Sequence, residues 1–298
     1  MLKIFLWVAS EYTTYLEDAL KILERQHNGI EIVGVTSAVE VTLDINGKNI
    51  PFVPFKDAVE EVYDVLLVVS AKPIGMSDIT KVARQLNLPE EKLLGDWIVC
   101  IPGFTLDKYR RLQRLQLSIF AQNCFGGMIS NMLGLPFRSP FVNLLLIDED
   151  FIKFLREPHS YLNEKLIFKD TAFNNFDKFY FPVVKLSNID LYMTHYRDFD
   201  TAVAKWNERK QRINWFNLFV TAYTEDEKIL QEFDALPYGK KVCFVPFKSE
   251  LDSAWYINPE IDRDTFNEII IHFSQGKIFY YDVFDMLLYG KKTQLIDM

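Results

Sequence analysis

Cysteine is scarce in this 298-residue chain, which holds only Cys100, Cys124 and Cys243. An odd number without metal-type spacing argues against a disulfide framework or a zinc module and fits free thiols in a reducing cytoplasm. Long apolar runs are missing as well. None approaches the roughly 18 to 20 residues that span a bilayer, so no membrane insertion is expected. The amino terminus, Met1-Leu2-Lys3-Ile4-Phe5-Leu6-Trp7-Val8, has no basic leader or small-residue cleavage site, and is expected to be a first strand. Positive charge is also in deficit, with 33 Lys and Arg against 41 Asp and Glu and a net charge of −8. That balance disfavours sequence-independent binding to nucleic acid or anionic membrane, while a local basic patch for an anion remains compatible with it. No Walker loop, zinc signature or nucleophile-elbow pattern is present.

What the chain has is apolar and aromatic bulk: 49% hydrophobic residues, including 25 Phe and 14 Tyr. Aromatic rings bury large areas each and must supply much of the packing, which argues against disorder. The length favours two domains. In the first hundred residues strands and helices alternate: strand Ile4–Val8, helix Tyr15–Leu23, strand Ile30–Val35, the Asn46-Gly47 turn, helix Lys56–Val62, strand Val65–Ser70 and helix Asp78–Leu86. Such alternation implies a parallel sheet with helices on both faces. A boundary is expected at Pro102-Gly103, giving domains 1–103 and 104–298, the second a larger α/β domain with a mixed sheet.

The stretch from Ser118 to Leu135 organises the second domain. An apolar run ends in Asn123-Cys124, Gly126 and Gly127 allow a tight turn, and a mostly apolar helical run follows until Gly134. Strand, turn and helix in that order place Cys124 at the carboxyl end of a strand, where α/β proteins hold ligands beside the free N–H groups of the next helix. Pro140–Ile147 reads as a central strand, with Asp148-Glu149-Asp150 capping the helix after it. Hairpin strands 181–186 and 189–194 deliver His195 to a strand end, and Asp198 caps a helix running to Ile213. On that helix Ala202, Trp206 and Ile213 form an apolar stripe beside a basic row of Lys205, Arg209 and Arg212. Two readings stay open for the row: an anion site along a cleft, or a solvated face whose stems lie over the core. Cys100 and Cys243 read as packed, inert thiols, and His159 as a surface residue. His272 reads as a core or boundary histidine on the helix Thr265–Phe273. No metal is expected, because no second histidine or thiol accompanies His195 at a recognised spacing.

The first domain resembles the Rossmann-like modules that precede sugar-modifying transferases and methyltransferases in bacterial glycan pathways. The likeness lies in Lys3-Ile4-Phe5-Leu6-Trp7, Ile32-Val33-Gly34-Val35, Tyr63-Asp64-Val65-Leu66-Leu67-Val68-Val69-Ser70 and Leu88-Pro89-Glu90-Glu91-Lys92. Where a dinucleotide-binding module has its glycines, this chain has Val8-Ala9-Ser10-Glu11-Tyr12-Thr13, and Thr36-Ser37-Ala38 replaces the acidic residue after the second strand. β-Carbons there should obstruct a pyrophosphate, so no NAD or other cofactor is expected.

The segments Asn123-Cys124-Phe125-Gly126-Gly127, Ser139-Pro140-Phe141-Val142-Asn143, His195-Tyr196, Trp206-Asn207-Glu208-Arg209-Lys210-Gln211-Arg212-Ile213-Asn214-Trp215 and Lys241-Val242-Cys243-Phe244 resemble a bacterial family labelled exopolysaccharide biosynthesis proteins. That resemblance implies a setting in surface-glycan assembly and no established mechanism. Built from the residues, the expected site has Cys124 as nucleophile and His195 as base. Asn123, Gly126 and Gly127 would meet the substrate, a sugar or sugar nucleotide, with Lys205, Arg209, Arg212 and Asn214 holding a phosphate or carboxylate. The expected activity is transfer to or from a sugar; the alternative is a non-catalytic glycan-binding, anion-binding or scaffolding protein.

Overall fold

A computed structural model of the chain describes residues 1–9, 14–58, 61–70, 76–175, 177–257 and 280–295. The helix expected at Thr265–Phe273, with His272, lies outside the described residues. The chain groups into two compact units. One is built on Met1–Arg111 with Asn131–Leu135, and the other on Leu112–Ser130 and the described residues from Pro136 onward.

The first unit runs β1 (Leu2–Val8), α1 (Leu16–His27), β2 (Ile30–Thr36), β3 (Leu43–Ile45), β4 (Lys48–Ile50), α2 (Phe55–Ala58), β5 (Val65–Val69), α3 (Met76–Gln85), β6 (Leu93–Gly95) and α4 (Asp96–Val99), and enters α5 (Leu106–Leu115). Leu16, Ala19, Leu20 and Leu23 bury one stripe of α1, spaced as a 3.6-residue period requires, and Asn28 ends the helix in the left-handed region at φ 52°. All five residues of β5 are buried, as a strand with a parallel neighbour on each side must be. The parallel order is β2-β1-β5-β6. Asn46 and Gly47 both have positive φ, the backbone of a tight hairpin turn, so the residues around them pair as β3 and β4.

The second unit continues with β7 (Ser118–Ala121), α6 (Phe125–Met132), α7 (Asp148–Arg156), α8 (Pro158–Asn163), β8 (Leu166–Asn174), β9 (Phe179–Leu186), β10 (Ile189–Tyr192), α9 (Phe199–Lys210), β11 (Leu218–Tyr223), α10 (Glu227–Asp234), β12 (Lys241–Val245), β13 (Ala254–Tyr256) and α11 (Val283–Tyr289). Its strands form a parallel sheet, β13-β12-β11-β7, and an antiparallel one, β10-β9-β8. The α/β architecture is therefore as expected, with the parallel and antiparallel strands in separate sheets. Asp198 and Asp226 cap α9 and α10 through their side chains. Phe120, Phe141 and Phe154 centre the core, with Phe141 and Phe154 edge to face at 4.6 Å between centroids. Such pairs are each worth about 0.5–1.5 kcal/mol beyond their buried area.

Two expectations are corrected. Pro140–Ile147 is not a strand but an irregular buried segment with a single antiparallel bridge, Leu145 to Tyr192. Asn143 turns it at φ 69°, and Phe141, Val142, Leu144 and Leu146 plug the core without a ladder. The three acids opening α7 do not cap it either, since its N-cap is Ile147 with no side-chain bond. Asp148 instead accepts from Gln122 Nε2 at 2.6 Å and Thr224 Oγ1 at 2.7 Å, while Asp150 accepts from the Asp190 amide at 2.9 Å. These carboxylates tie α7 to β7, β10 and β11.

A candidate thiol site at the end of strand β7

Gln122 fixes where β7 stops. Its amide donates to the Thr221 carbonyl at 3.2 Å, its carbonyl accepts from Leu146, and its side chain accepts from the Tyr223 amide at 3.1 Å while donating to Asp148. With every polar group of Gln122 committed, the chain turns immediately after it. Asn123 Oδ1 accepts the Phe125 amide at 3.0 Å and the Cys124 carbonyl accepts the Met128 amide at 3.0 Å, so Cys124 stands at the entrance to α6. The glycines let this helix lie close to its neighbours. A β-carbon on Gly126 would sit 3.0 Å from Ile119 Cγ2, and one on Gly127 would sit 3.1 Å from Val142 Cγ1. The N–H groups of Gly126 and Gly127 have no acceptor among the described residues. Both belong to the first turn of a helix, where no carbonyl within the helix can satisfy them.

His195 arrives from β10. Tyr192 exchanges both backbone bonds with Leu145 at 2.9 Å, and the Met193 amide donates to the Pro182 carbonyl at 3.0 Å. The chain then reverses, bringing His195 Nε2 to 3.3 Å from Cys124 Sγ. On the other side of the ring, His195 Nδ1 lies 3.1 Å from Asp177 Oδ2. Asp177 belongs to the turn joining β8 to β9, and Asn174 holds that turn. Its Oδ1 accepts the Asp177 amide at 3.0 Å, and its Nδ2 donates to Asp177 Oδ2 and to the Thr194 carbonyl, each at 3.1 Å.

A carboxylate only accepts, so this arrangement calls for the proton of a neutral imidazole on Nδ1, which leaves the Nε2 lone pair facing the thiol. Burial pushes the Cys124 thiol up to about 11, with the Thr194 hydroxyl acting against the rise and the Asp177 charge adding to it. The resting sulfur is therefore S–H, with Nε2 within reach of its proton. The His195 side chain is 40% exposed, so a solute in water can reach the base even though the sulfur is half-buried.

The remaining candidate residues take other positions. Arg209 is buried; its Nη1 donates to the Val142 carbonyl at 3.1 Å and to Tyr196 Oη at 2.6 Å, and its guanidinium lies 5.3 Å from the Phe137 ring centre. It thus braces the residue that follows His195. Lys205 and Arg212 both pair with Glu208. The Asn214 amide donates to Ser118 Oγ at 2.8 Å, at the amino end of β7 and so at the end away from Cys124. The Cys243 thiol is fully buried and pushed well up; burial also raises Cys100, to about 12. His159 stacks on Trp215 with ring centres 4.1 Å apart. Among the described residues no group of three or more His, Cys, Asp or Glu could hold a metal ion.

Asp177 and Asn174 were not singled out from the sequence. Their signal there is the Asn-Asn-Phe-Asp-Lys run after a β-prone stretch, a composition typical of hairpin turns. Every position of β8 is exposed or only partly buried, so the stretch lacks the alternation that would have marked it as a strand.

A family described as a domain of unknown function, DUF1919, matches residues 99–289. The chain belongs to the DUF1919 family. An uncharacterized protein of Haemophilus influenzae is similar to it, 34% identical over 181 residues that cover 59% of this chain and 84% of that protein. Cys124, Asn174, Asp177 and His195 all fall inside the DUF1919 match, which lies almost wholly beyond the first parallel sheet.

Proposed function

We propose that this protein is a thiol-dependent transferase that moves an acyl group to a sugar or activated sugar. The observation that carries the reading is the continuous run of contacts from Cys124 Sγ to His195 Nε2 and from His195 Nδ1 to Asp177. A nucleophile, a base within reach and a group that orients the base together form the constellation of covalent acyl transfer. The sulfur attacks the acyl carbon as its proton passes to Nε2, and the imidazolium then protonates the leaving group, giving a thioester. A sugar hydroxyl, deprotonated by the same Nε2, attacks the thioester, and the C–S electron pair returns to a sulfur that regains its proton. The N–H groups of Gly126 and Gly127 suit the oxyanion that develops in each half-reaction. Asn123 lies beside them to orient the reacting group, and Arg209 acts indirectly by bracing Tyr196. The sugar rests on the likeness to exopolysaccharide biosynthesis proteins.

The experiment is acylation by p-nitrophenyl acetate, followed by peptide mass spectrometry. Acetyl on Cys124 in the wild type, lost in Cys124→Ser and slowed in His195→Ala, would support the reading. A second reading, a glycan- or anion-binding protein without chemistry, draws on the half-buried, protonated thiol. It predicts no acetyl-Cys124, together with a thermal shift on adding sugar nucleotides that survives Cys124→Ala.

A further inference from the structure

We infer that Arg197 selects an anionic substrate, a carboxylate or a phosphate, for the Cys124 thiol. The inference rests on the reading of Cys124 as nucleophile and adds what the site accepts.

Two segments run past each other beside the thiol and are linked by three contacts. Asn174 meets the Thr194 carbonyl, Asp177 meets His195, and the Arg197 guanidinium carbon lies 5.2 Å from the centre of the Phe179 ring. Arg197 thus occupies the next step along from the base. Two residues of chain reach at most about 7 Å, so its backbone stays within that distance of His195. Stacking on Phe179 holds the flat guanidinium in place while leaving its edge, with five N–H donors, open. Arg197 makes no hydrogen bond or ion pair to any described residue, and it is exposed.

The surrounding charges leave Arg197 available. Asp177 is paired with His195, and Asp198 spends both oxygens on the Thr201 amide and hydroxyl as the cap of α9. Lys178, next to Asp177 in the chain, is a second exposed cation. In a chain with a net charge of −8, Arg197 and Lys178 are two exposed cations with no carboxylate paired to them among the described residues, while Asp177 and Asp198 keep their charge nearby. A carboxylate or phosphate that reaches the open edge of Arg197 gains charge-assisted hydrogen bonds that a neutral molecule does not.

The test compares two thiol reagents of nearly equal size, iodoacetate and iodoacetamide, which differ in charge. Alkylation of Cys124 in the full chain is followed at low salt by peptide mass spectrometry. The expected result is a ratio of iodoacetate to iodoacetamide rates that is higher by about three- to tenfold in the wild type than in Arg197→Ala. Arg197→Lys should keep part of the preference, and salt should erode it. Equal ratios in wild type and Arg197→Ala overturn the inference while leaving the nucleophile intact. If neither reagent modifies Cys124, the nucleophile reading fails and anion recognition is decided by thermal shift with inorganic pyrophosphate. A shift lost in Arg197→Ala then supports the anion site, and an equal shift in both proteins overturns it.

Discussion

Asn174 donates through one side-chain nitrogen to both the Thr194 carbonyl oxygen and Asp177 Oδ2, each at 3.1 Å. One amide thereby sets the distance between the hairpin turn that carries Asp177 and the strand end that carries His195. The orientation of His195 thus leans on a residue outside the run of contacts from Cys124 through His195 to Asp177.

Asp177→Asn should separate orientation from folding. An asparagine in that place can donate to Nδ1, which moves the ring proton to Nε2 and turns the lone pair away from the thiol. Nitrogen chemical shifts of the labelled imidazole should report the exchange of tautomers. Acylation of Cys124 should fall by about 10²–10⁴ with the circular dichroism unchanged. A variant that keeps the wild-type rate would remove Asp177 from the mechanism.

The reactivity of Cys124 should depend on pH in the manner of a sheltered thiol. Because burial raises it to about 11, the iodoacetamide rate should climb about tenfold per pH unit from pH 7 to 9.5 without levelling. An ordinary solvent-exposed thiol would begin to level within that range. A plateau below pH 9 would mean that the sulfur is already ionised at rest.

In the first unit, Asp96 is fully buried and accepts the Trp97 amide at 2.9 Å and the Ser70 amide at 3.4 Å. Burial raises its carboxyl from 3.8 to about 7, outweighing those hydrogen bonds. A folded-state value above the unfolded one means that the stabilisation is complete below about pH 4 and is lost as pH rises to about 7. The loss is roughly 4 kcal/mol in scale. Urea unfolding of Asp96→Asn should show a flatter pH dependence and greater stability than the wild type at pH 8. A wild-type slope retained in the variant would assign the effect to another group.

Gly126→Ala should lower stability by about 1–3 kcal/mol, because its β-carbon meets Ile119 and Ala121 at 3.0 and 3.1 Å. Gly239→Ala, with nothing within 4 Å, is the matched control and should change little. Thermal denaturation of the pair would reveal whether close approach of α6 to β7 is required.

Much of the parallel architecture was legible in the amino-acid order because buried strands and amphipathic helices carry their own periodicity. β5 reads as an unbroken apolar run, α1 buries residues 16, 19, 20 and 23, and Asp198 marks a helix start by its chemistry. Cys124 and His195 stood out because each follows a strand, yet their meeting across 71 positions is a property of the folded chain. Asp177 was illegible because β8 has no buried face to announce it. Arg209 read as one cation of a row that lay either along an anion cleft or on a solvated face, and only packing reveals that it turns inward to a carbonyl and a phenol. Pro140–Ile147 misled for the opposite reason, since burial alone makes a loop as apolar as a strand.

The half-buried position of the sulfur, with the imidazole on its wet side, has a consequence for durability. Thiolates attack peroxides and disulfides, and Cys124 offers almost no thiolate at neutral pH. On the proposed reading it becomes reactive at neutral pH when His195 withdraws the proton. The thiol is thus shielded from accidental oxidation by the same surroundings that keep it idle between encounters.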